Sequence, residues 1–236
     1  MLNHFTKELN KLISILKDSS FRLSYCSEEF RDENEKIISH AAHPMVCFSE
    51  YNEKEIASKN ITYGCYCISM KKDWAIKNKL NPVLYVEKNS HIALGLKTLL
   101  LRRKKTQKGS SFPRLAVMQI KCFTKHVKGY NSHFDEDNFD FKYENEWRYV
   151  PEKKDIGNYY ISIDNSRYKQ VLEKAKKNLI KDKYNKRLES FPLKFNENDI
   201  EFVFVEEESE IRILEQSFPF LNGKVRKYTW KYTPKK

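Results

Sequence analysis

The sequence predicts an α+β fold in a single domain spanning 1–236, and three observations lead to it. About seven apolar or alternating stretches read as strands and are interspersed with helical ones. Many connections are too short for the crossover that a parallel pair needs, which argues against a doubly wound α/β sheet. No Gly-, Pro- or Ser-rich linker divides the 236 residues, a length that can bury one large core.

Phe5, Leu9, Leu12, Ile13 and Leu16 recur at spacings of three and four, so 7–18 reads as a helix with one buried stripe, ended by Asp18-Ser19-Ser20. Thr6 stands where an N-cap would. Phe21, Leu23 and Tyr25 alternate as in a half-buried strand, and the acidic "SEEFRDENEK" after them reads as a loop or an exposed helix. Met45 to Ser49, entered through Pro44, reads as a buried strand. In "ITYGCYCISM" Tyr63, Cys65 and Cys67 share one face of another strand. "KKDWAIKN" is a short helix and "NPVLYVEK" a strand begun by proline. Ser90 caps a helix carrying Ile92, Leu96, Leu99 and Leu100 into the basic run "LRRKKTQKG". "FPRLAVMQIKCF", "ENEWRYV" and "NYYISI" are expected as strands. A long helix over about 167–189 puts Tyr168, Val171, Leu172, Ala175, Leu179 and Leu188 on its stripe, and "DIEFVFVEEESEIRILEQ" is a strand leading into a short helix. The organisation is thus a core over about 1–165, a helix and strand–helix unit over 166–222, and a basic tail over 223–236 expected to be frayed or weakly docked.

Lys and Arg number 44 against 32 Asp and Glu, a net charge of +12, which favours anionic partners such as nucleic acid or nucleotides. Five irregularly spaced cysteines do not suit a disulfide framework, so reduced thiols and a cytoplasmic protein are expected. No segment approaches the roughly 20 apolar residues of a membrane span, and Lys7, Glu8 and Lys11 interrupt the first apolar stripe where a signal peptide would be continuous. The six glycines are isolated and form neither a phosphate loop nor a nucleophile elbow, which excludes kinase, P-loop NTPase and α/β-hydrolase readings.

Four pieces, "HFTKELNKLISIL", "PMVCFSEYN", "YGCYCISMKKDWAIKNKLNPVLYV" and "YENEWRYV", stand in an order that resembles the AbiGi family of bacterial abortive-infection (phage-resistance) proteins. The resemblance spans roughly residues 3–150, most of it before residue 90. It implies a phage-defence role, usually as the antitoxin half of an abortive-infection pair, and hence a cognate toxin or antitoxin protein as partner. A His-x-Thr strand end running into a helix, a middle strand with Ser or Tyr and a late strand with Glu are, more distantly, similar to the layout of ADP-ribosyltransferase-fold enzymes. That similarity implies a split, mostly antiparallel sheet with flanking helices around a cleft, NAD as cofactor, and transfer of ADP-ribose to nucleic acid or protein. His4 and Thr6 would hold the NAD ribose, Ser49 or Tyr51 would sit beside the nicotinamide, and Glu146 would be the catalytic carboxylate, with His4 beside it in the reaction. Arg148, Lys7 or Arg22 would meet the pyrophosphate. Such a carboxylate works because breaking the nicotinamide bond builds positive charge on the sugar, which a nearby anion stabilises more in the transition state than before it. A histidine offers one donor and one acceptor to a ribose diol, and arginine suits phosphate oxygens.

Each of these residues also has a local reading. Thr6 as an N-cap needs no chemistry, and His4 is equally suited to a strand end. Strand alternation puts Glu144, Glu146 and Arg148 on one face, so an ion pair of Glu146 with Arg148 or a lysine competes with catalysis, while Trp147 turns to the core. Cys65 and Cys67, with His40, His43 and Cys47, suggest a metal, but no second cysteine pair has zinc spacing and no metal is expected. "DEDNFD" (135–140) lacks the Gly and final Glu of a calcium loop and reads as a solvated acidic turn. Arg102, Arg103, Lys104 and Lys105, and the exposed face of the 167–189 helix, are the candidate contacts for nucleic-acid phosphates. The alternative to an NAD enzyme is therefore a non-catalytic antitoxin or regulatory module that binds a partner toxin or nucleic acid through basic faces.

Overall fold

In the computed structural model, which describes residues 1–106, 111–131 and 136–233, the chain opens with a strand, β1 (Leu2–Thr6). Thr6 belongs to that strand, opposite Tyr66, and does not cap the helix; Glu8 stands at the cap position, its side chain bonded to Lys11 and not to a free N–H of the first turn. Gly64 lies so close to this turn that a Cβ there would sit 1.9 Å from the Thr6 carbonyl oxygen, so only glycine passes. α1 (Leu9–Asp18) buries Leu12 and Leu16, four apart, and stops at Ser19 in the left-handed conformation, whose N–H reaches the Ile15 and Leu16 carbonyls. β2 (Ser20–Phe21) follows.

β3 (Ser24–Arg31) and β4 (Ile37–Glu50) form an antiparallel hairpin in register from Ser24↔Met45 to Phe30↔Ser39. The acidic segment read as a loop or exposed helix is therefore strand and turn. Its Phe30 is buried, and the Asp32 carboxylate accepts the Asn34 and Lys36 N–H groups to close the turn. The strand read at Met45–Ser49 is the second half of β4, whose 14 residues give the sheet its two parts. One half pairs with β3 and the other with β1.

Next come α2 (Glu53–Ala57), β5 (Asn60–Ile61), β6 (Tyr66–Met70), α3 (Lys72–Lys77), β7 (Asn81–Pro82), β8 (Leu84–Val86) and α4 (His91–Lys105). Ser90 caps α4 as expected, accepting the Ala93 N–H at 3.2 Å. Of the run "LRRKKTQKG", 107–109 lie outside the described residues. The segment expected as a strand after it is a helix, α5 (Arg114–Cys122), burying Val117, Met118, Lys121 and Cys122 at a period near 3.6. β9 (Thr124–His126), β10 (Lys128–Asn131) and β11 (Glu136–Asp140) follow. β10 and β11 pair, so the acidic stretch is a strand instead of a turn; its Asp135 lies outside the described residues.

After the short turn Phe141–Glu144 comes β12 (Glu146–Tyr149), where a strand was expected. "NYYISI" is mostly a loop ending in β13 (Ile163–Asp164), held by the Tyr25 hydroxyl on the Tyr160 carbonyl at 2.5 Å. The long helix is two: α6 (Asn165–Lys177) and α7 (Lys183–Leu188). Leu179 turns left-handed at φ 51° and is 95% exposed, off the stripe it was assigned to. Asp182 starts α7 by accepting the Tyr184 and Asn185 N–H groups. β14 (Leu193–Lys194), β15 (Ile200–Val205) and α8 (Glu208–Ser217) precede β16 (Val225–Lys227) and β17 (Lys231–Tyr232).

Nine strands form one sheet whose main path runs β16-β15-β6-β1-β4-β12-β7, with β3 and β13 also on β4. Among the described residues only β15 and β16 pair in parallel within it, so the fold is α+β with a mixed, mostly antiparallel sheet. One face packs against α1 and α3 through Leu2, Leu12, Phe21, Phe48 and Trp74. The other carries two smaller cores, one of Phe30, Leu96, Leu100 and Val117 and one of Tyr51, Cys67, Phe204 and Trp230. Among the described residues no helix is long and apolar enough to cross a membrane.

The tail corrects another expectation. β16 extends the sheet along β15, and Trp230 is 3% exposed, its Nε1 donating to the Gly64 carbonyl at 3.1 Å. Trp230→Ala is therefore expected to cost about 3–5 kcal/mol in urea unfolding. A loss under about 1 kcal/mol would mean a weakly docked tail.

Candidate functional site

Asn3↔Ser49 and Ser49↔Glu146 are direct partners across β1, β4 and β12, so their side chains form one row on one sheet face. Ser69 of β6 extends the row beside Asn3. Asn3 is fully buried: its Nδ2 donates to the Ser49 and Tyr51 carbonyls, both at 3.1 Å, and its Oδ1 accepts from Ser69 Oγ at 2.5 Å. On the same face Arg148 pairs with Cys47, and β3 presents Glu28. α5 and β9 reach the Glu146–Arg148 end of this face through the Cys122 carbonyl, Lys121 and Lys125.

Arg148 is the hub. It is 0% exposed, and its Nε and Nη2 grip the two Glu146 oxygens at 2.8 and 2.9 Å. Nη2 also reaches Glu28 at 2.9 Å, and Nη1 donates to the Cys122 carbonyl at 2.6 Å. Lys125 Nζ adds bonds to Glu144 at 2.6 Å and Glu146 at 3.4 Å. Glu144 in turn accepts from the Tyr63 hydroxyl at 2.7 Å and Asn131 Nδ2 at 3.2 Å. Burial alone would lift the Glu146 carboxyl, but Arg148 and Lys125 hold it down at about 2. Burial also opposes the charges on Arg148 and Lys125; the carboxylates beside them win and raise both.

A second buried pair adjoins the first. Lys121 Nζ donates to the Glu28 carbonyl at 2.8 Å and lies 3.3 Å from His43 Nε2, while His43 Nδ1–H faces the Ile161 carbonyl at 3.0 Å. Burial lowers Lys121 to about 8 and, helped by the Lys121 charge, His43 to about 3. His43 is thus neutral, with Nε2 free to accept from lysine.

The assigned residues do not converge. His4 adjoins Asn3 on β1 and so points to the opposite face, where its ring lies between Phe21 and Phe48 at 4.9 and 5.4 Å. Its Nδ1–H donates to the Cys47 carbonyl at 3.0 Å, and burial lowers its pKa in spite of that bond. Thr6 shares the His4 face by alternation. Ser49, Glu146 and Arg148 are together on the other face. Tyr51, just beyond β4, donates its hydroxyl to the Tyr143 carbonyl. A ribose gripped by His4 and Thr6 would have the whole sheet between it and Glu146, so these residues do not fit NAD as a set. Two surface hollows, of about 300 and 170 Å³, are lined by residues such as Lys71 and Phe202, or Lys88 and Val127, and include none of the assigned residues.

Cys65 and Cys67 do not share a face: β6 starts only at Tyr66, and the two thiols enter different cores. Among the described residues no three His, Cys, Asp or Glu side chains gather as a metal would need. In the basic run, Lys104 Nζ is tied to the Ile38 carbonyl at 2.6 Å and Arg102 lies 5.3 Å over the Phe112 ring. Sequence reasoning missed Glu28, Lys121, Lys125 and His43 as members of the network. The one legible signal was Lys121, a lone charge inside the apolar run "LAVMQIKCF".

Fold and site together define an α+β protein whose polar sheet face carries a buried ion network, with His4 and Thr6 on the face opposite Ser49, Glu146 and Arg148. Residues 19–206 match the family model described as "Putative abortive phage resistance protein AbiGi, antitoxin". The match spans most of the chain, and the chain belongs to the AbiGi family. It begins after β1 and α1, so "HFTKEL" lies outside it, and it continues beyond residue 150 to the end of β15. No curated protein and no solved structure matches the chain, so the ADP-ribosyltransferase similarity has no structural neighbour behind it.

Proposed function

We propose that this AbiGi protein serves anti-phage defence as a non-catalytic antitoxin, restraining a partner toxin by binding it. The observation that carries this reading is the Glu146–Arg148 clamp. A carboxylate that must meet a developing sugar cation cannot do so while both its oxygens are held by a buried guanidinium and its row is sealed. The family description supplies the antitoxin direction. Calorimetric titration with NAD is expected to give no saturable heat, and co-expression with the toxin of its abortive-infection pair is expected to restore growth. Saturable NAD binding, or toxicity of the chain expressed alone, would overturn the reading.

A further inference from the structure

α6 and α7 carry positive charge that the fold does not consume. Residues 165–188 hold nine Lys and Arg against two acids, Glu173 and Asp182. Asp182 is buried as the cap of α7, Asp164 just before α6 accepts the Ser166 and Arg167 N–H groups, and Glu189 just after α7 takes Lys181 at 2.5 Å. Arg167, Gln170, Lys174 and Lys177 recur at three and four, so they make one line about 15 Å long on the exposed side of α6. Among the described residues none of its three cations makes an ion pair. Glu173 stands beside the line, four residues from Lys169 and from Lys177.

The Arg167 end of this line meets aromatic rings. Tyr159 and Tyr160, before β13, pack together with centroids 4.9 Å apart, and Tyr160 is 50% exposed. The Arg187 guanidinium of α7 lies 5.9 Å from the Tyr159 ring centre. Burial and the neighbouring tyrosines raise the Tyr159 hydroxyl, while the charges of Arg187 and Arg167 beside it pull it down. The acids that precede these rings are engaged: Glu152 is met by Lys79 and Lys154, and Asp155 accepts the Glu152 N–H. The Tyr160 carbonyl accepts from Tyr25 at 2.5 Å and its ring sits edge-on to buried Tyr184 at 6.5 Å, so the exposed ring is held in place.

We infer that this face binds a single-stranded nucleic acid, with an unpaired base on Tyr160 and the backbone running along Arg167 and Lys174. The inference goes beyond the antitoxin reading and does not depend on it. A fixed aromatic ring beside a line of unpaired cations suits a single strand, because every base offers a flat face and every nucleotide a phosphate. A duplex keeps its bases stacked inside and would leave Tyr160 unused, which makes it the weaker ligand.

The test uses the full chain and a fluorescein-labelled single strand of about 12 nucleotides without self-complementarity, read by anisotropy over a series of salt concentrations. Wild type should bind saturably and lose affinity as salt rises. Tyr160→Ala should weaken binding at least about 5-fold with the salt slope unchanged, and Tyr160→Phe should bind as wild type, because the ring stacks and the hydroxyl does not. Arg167→Glu with Lys174→Glu should weaken it at least about 10-fold and reduce the salt slope by about 1.4, the share of two phosphate contacts; it decides the matter should Tyr160→Ala misfold. Arg212→Glu with Lys227→Glu, the same change in net charge on α8 and β16, should stay within about 3-fold of wild type. The inference is overturned if wild type shows no saturable binding, if it binds the matching duplex more tightly, or if Tyr160→Ala and the α6 charge reversal both bind within about 3-fold of wild type. It is also overturned if these variants keep their oligonucleotide affinity and lose growth rescue in co-expression with the toxin, which would make the face a protein interface. Failure of wild type to rescue growth overturns the antitoxin reading alone.

Discussion

Arg148→Met is expected to lower stability by roughly 3–5 kcal/mol, which for a chain of this size is a fall in thermal midpoint of roughly 10 °C. The cause is what remains rather than what is lost. Methionine fills much of the space, but Glu146 and Glu28 stay behind with no guanidinium between them, and Glu146 is 8% exposed. Lys125, 3.4 Å away, and a hydrogen bond from Cys47 still favour the Glu146 charge, but neither matches the two-bond guanidinium grip. Removing both sides of the clamp, Glu146→Leu with Arg148→Met, should therefore recover part of the loss, because Glu146 is then no longer stranded while Glu28 alone remains without its arginine. Urea unfolding of the three proteins measures this. A single-variant loss under about 1 kcal/mol, or a double variant worse than the sum, would show that the clamp is not what ties β3, β12 and α5 together.

Acid is expected to destabilise the protein through His43 before it does so through the carboxylates. In the unfolded chain this histidine takes a proton near 6.5; folded, burial and then the facing Lys121 charge hold it neutral down to about 3, with Arg148 and Arg103 adding to the same side. Between these values the unfolded state binds the extra proton, so stability falls as pH drops through the window. The full effect is on the order of 4 kcal/mol. Glu146 acts lower: its folded pKa of about 2 is depressed, so its contribution is present above about 4.5 and is lost as pH falls toward 2. His43→Gln keeps an acceptor for Lys121 and a donor for the Ile161 carbonyl but cannot titrate. The stability gap between wild type and this variant should narrow steadily from pH 7 to pH 4.5, as read by denaturant titrations at each pH. A gap that does not change with pH would mean that folded His43 accepts the proton freely.

Local periodicity carried much of the fold. α1, α4 and α8, the second half of β4, and β12 and β15 stand where spacing, caps and alternation place them, because each is decided by residues within one or two turns of itself. The misses share a cause. β3 is charged along its exposed edge and becomes a strand only because β4 offers it a ladder. α5 is too short an apolar run for its length to separate helix from strand, and Lys121 at its inner face is tolerated only because the Glu28 carbonyl lies 2.8 Å away. The tail reads as basic and loose until β15 gives it an edge to pair with.

The candidate site shows the same division. Alternation alone put Glu146 and Arg148 on one face, and the structure turns that into a two-bond clamp. The order of its motifs was enough to suggest the family that the match over 19–206 shows. Which residues meet across the sheet was decided only by tertiary structure. Register is a property of pairs of strands, and a one-residue offset moves a side chain to the other face. His4 and Asn3 are neighbours in sequence, yet the sheet sends Asn3 into the row with Ser49 and Glu146 and His4 into the aromatic core behind it.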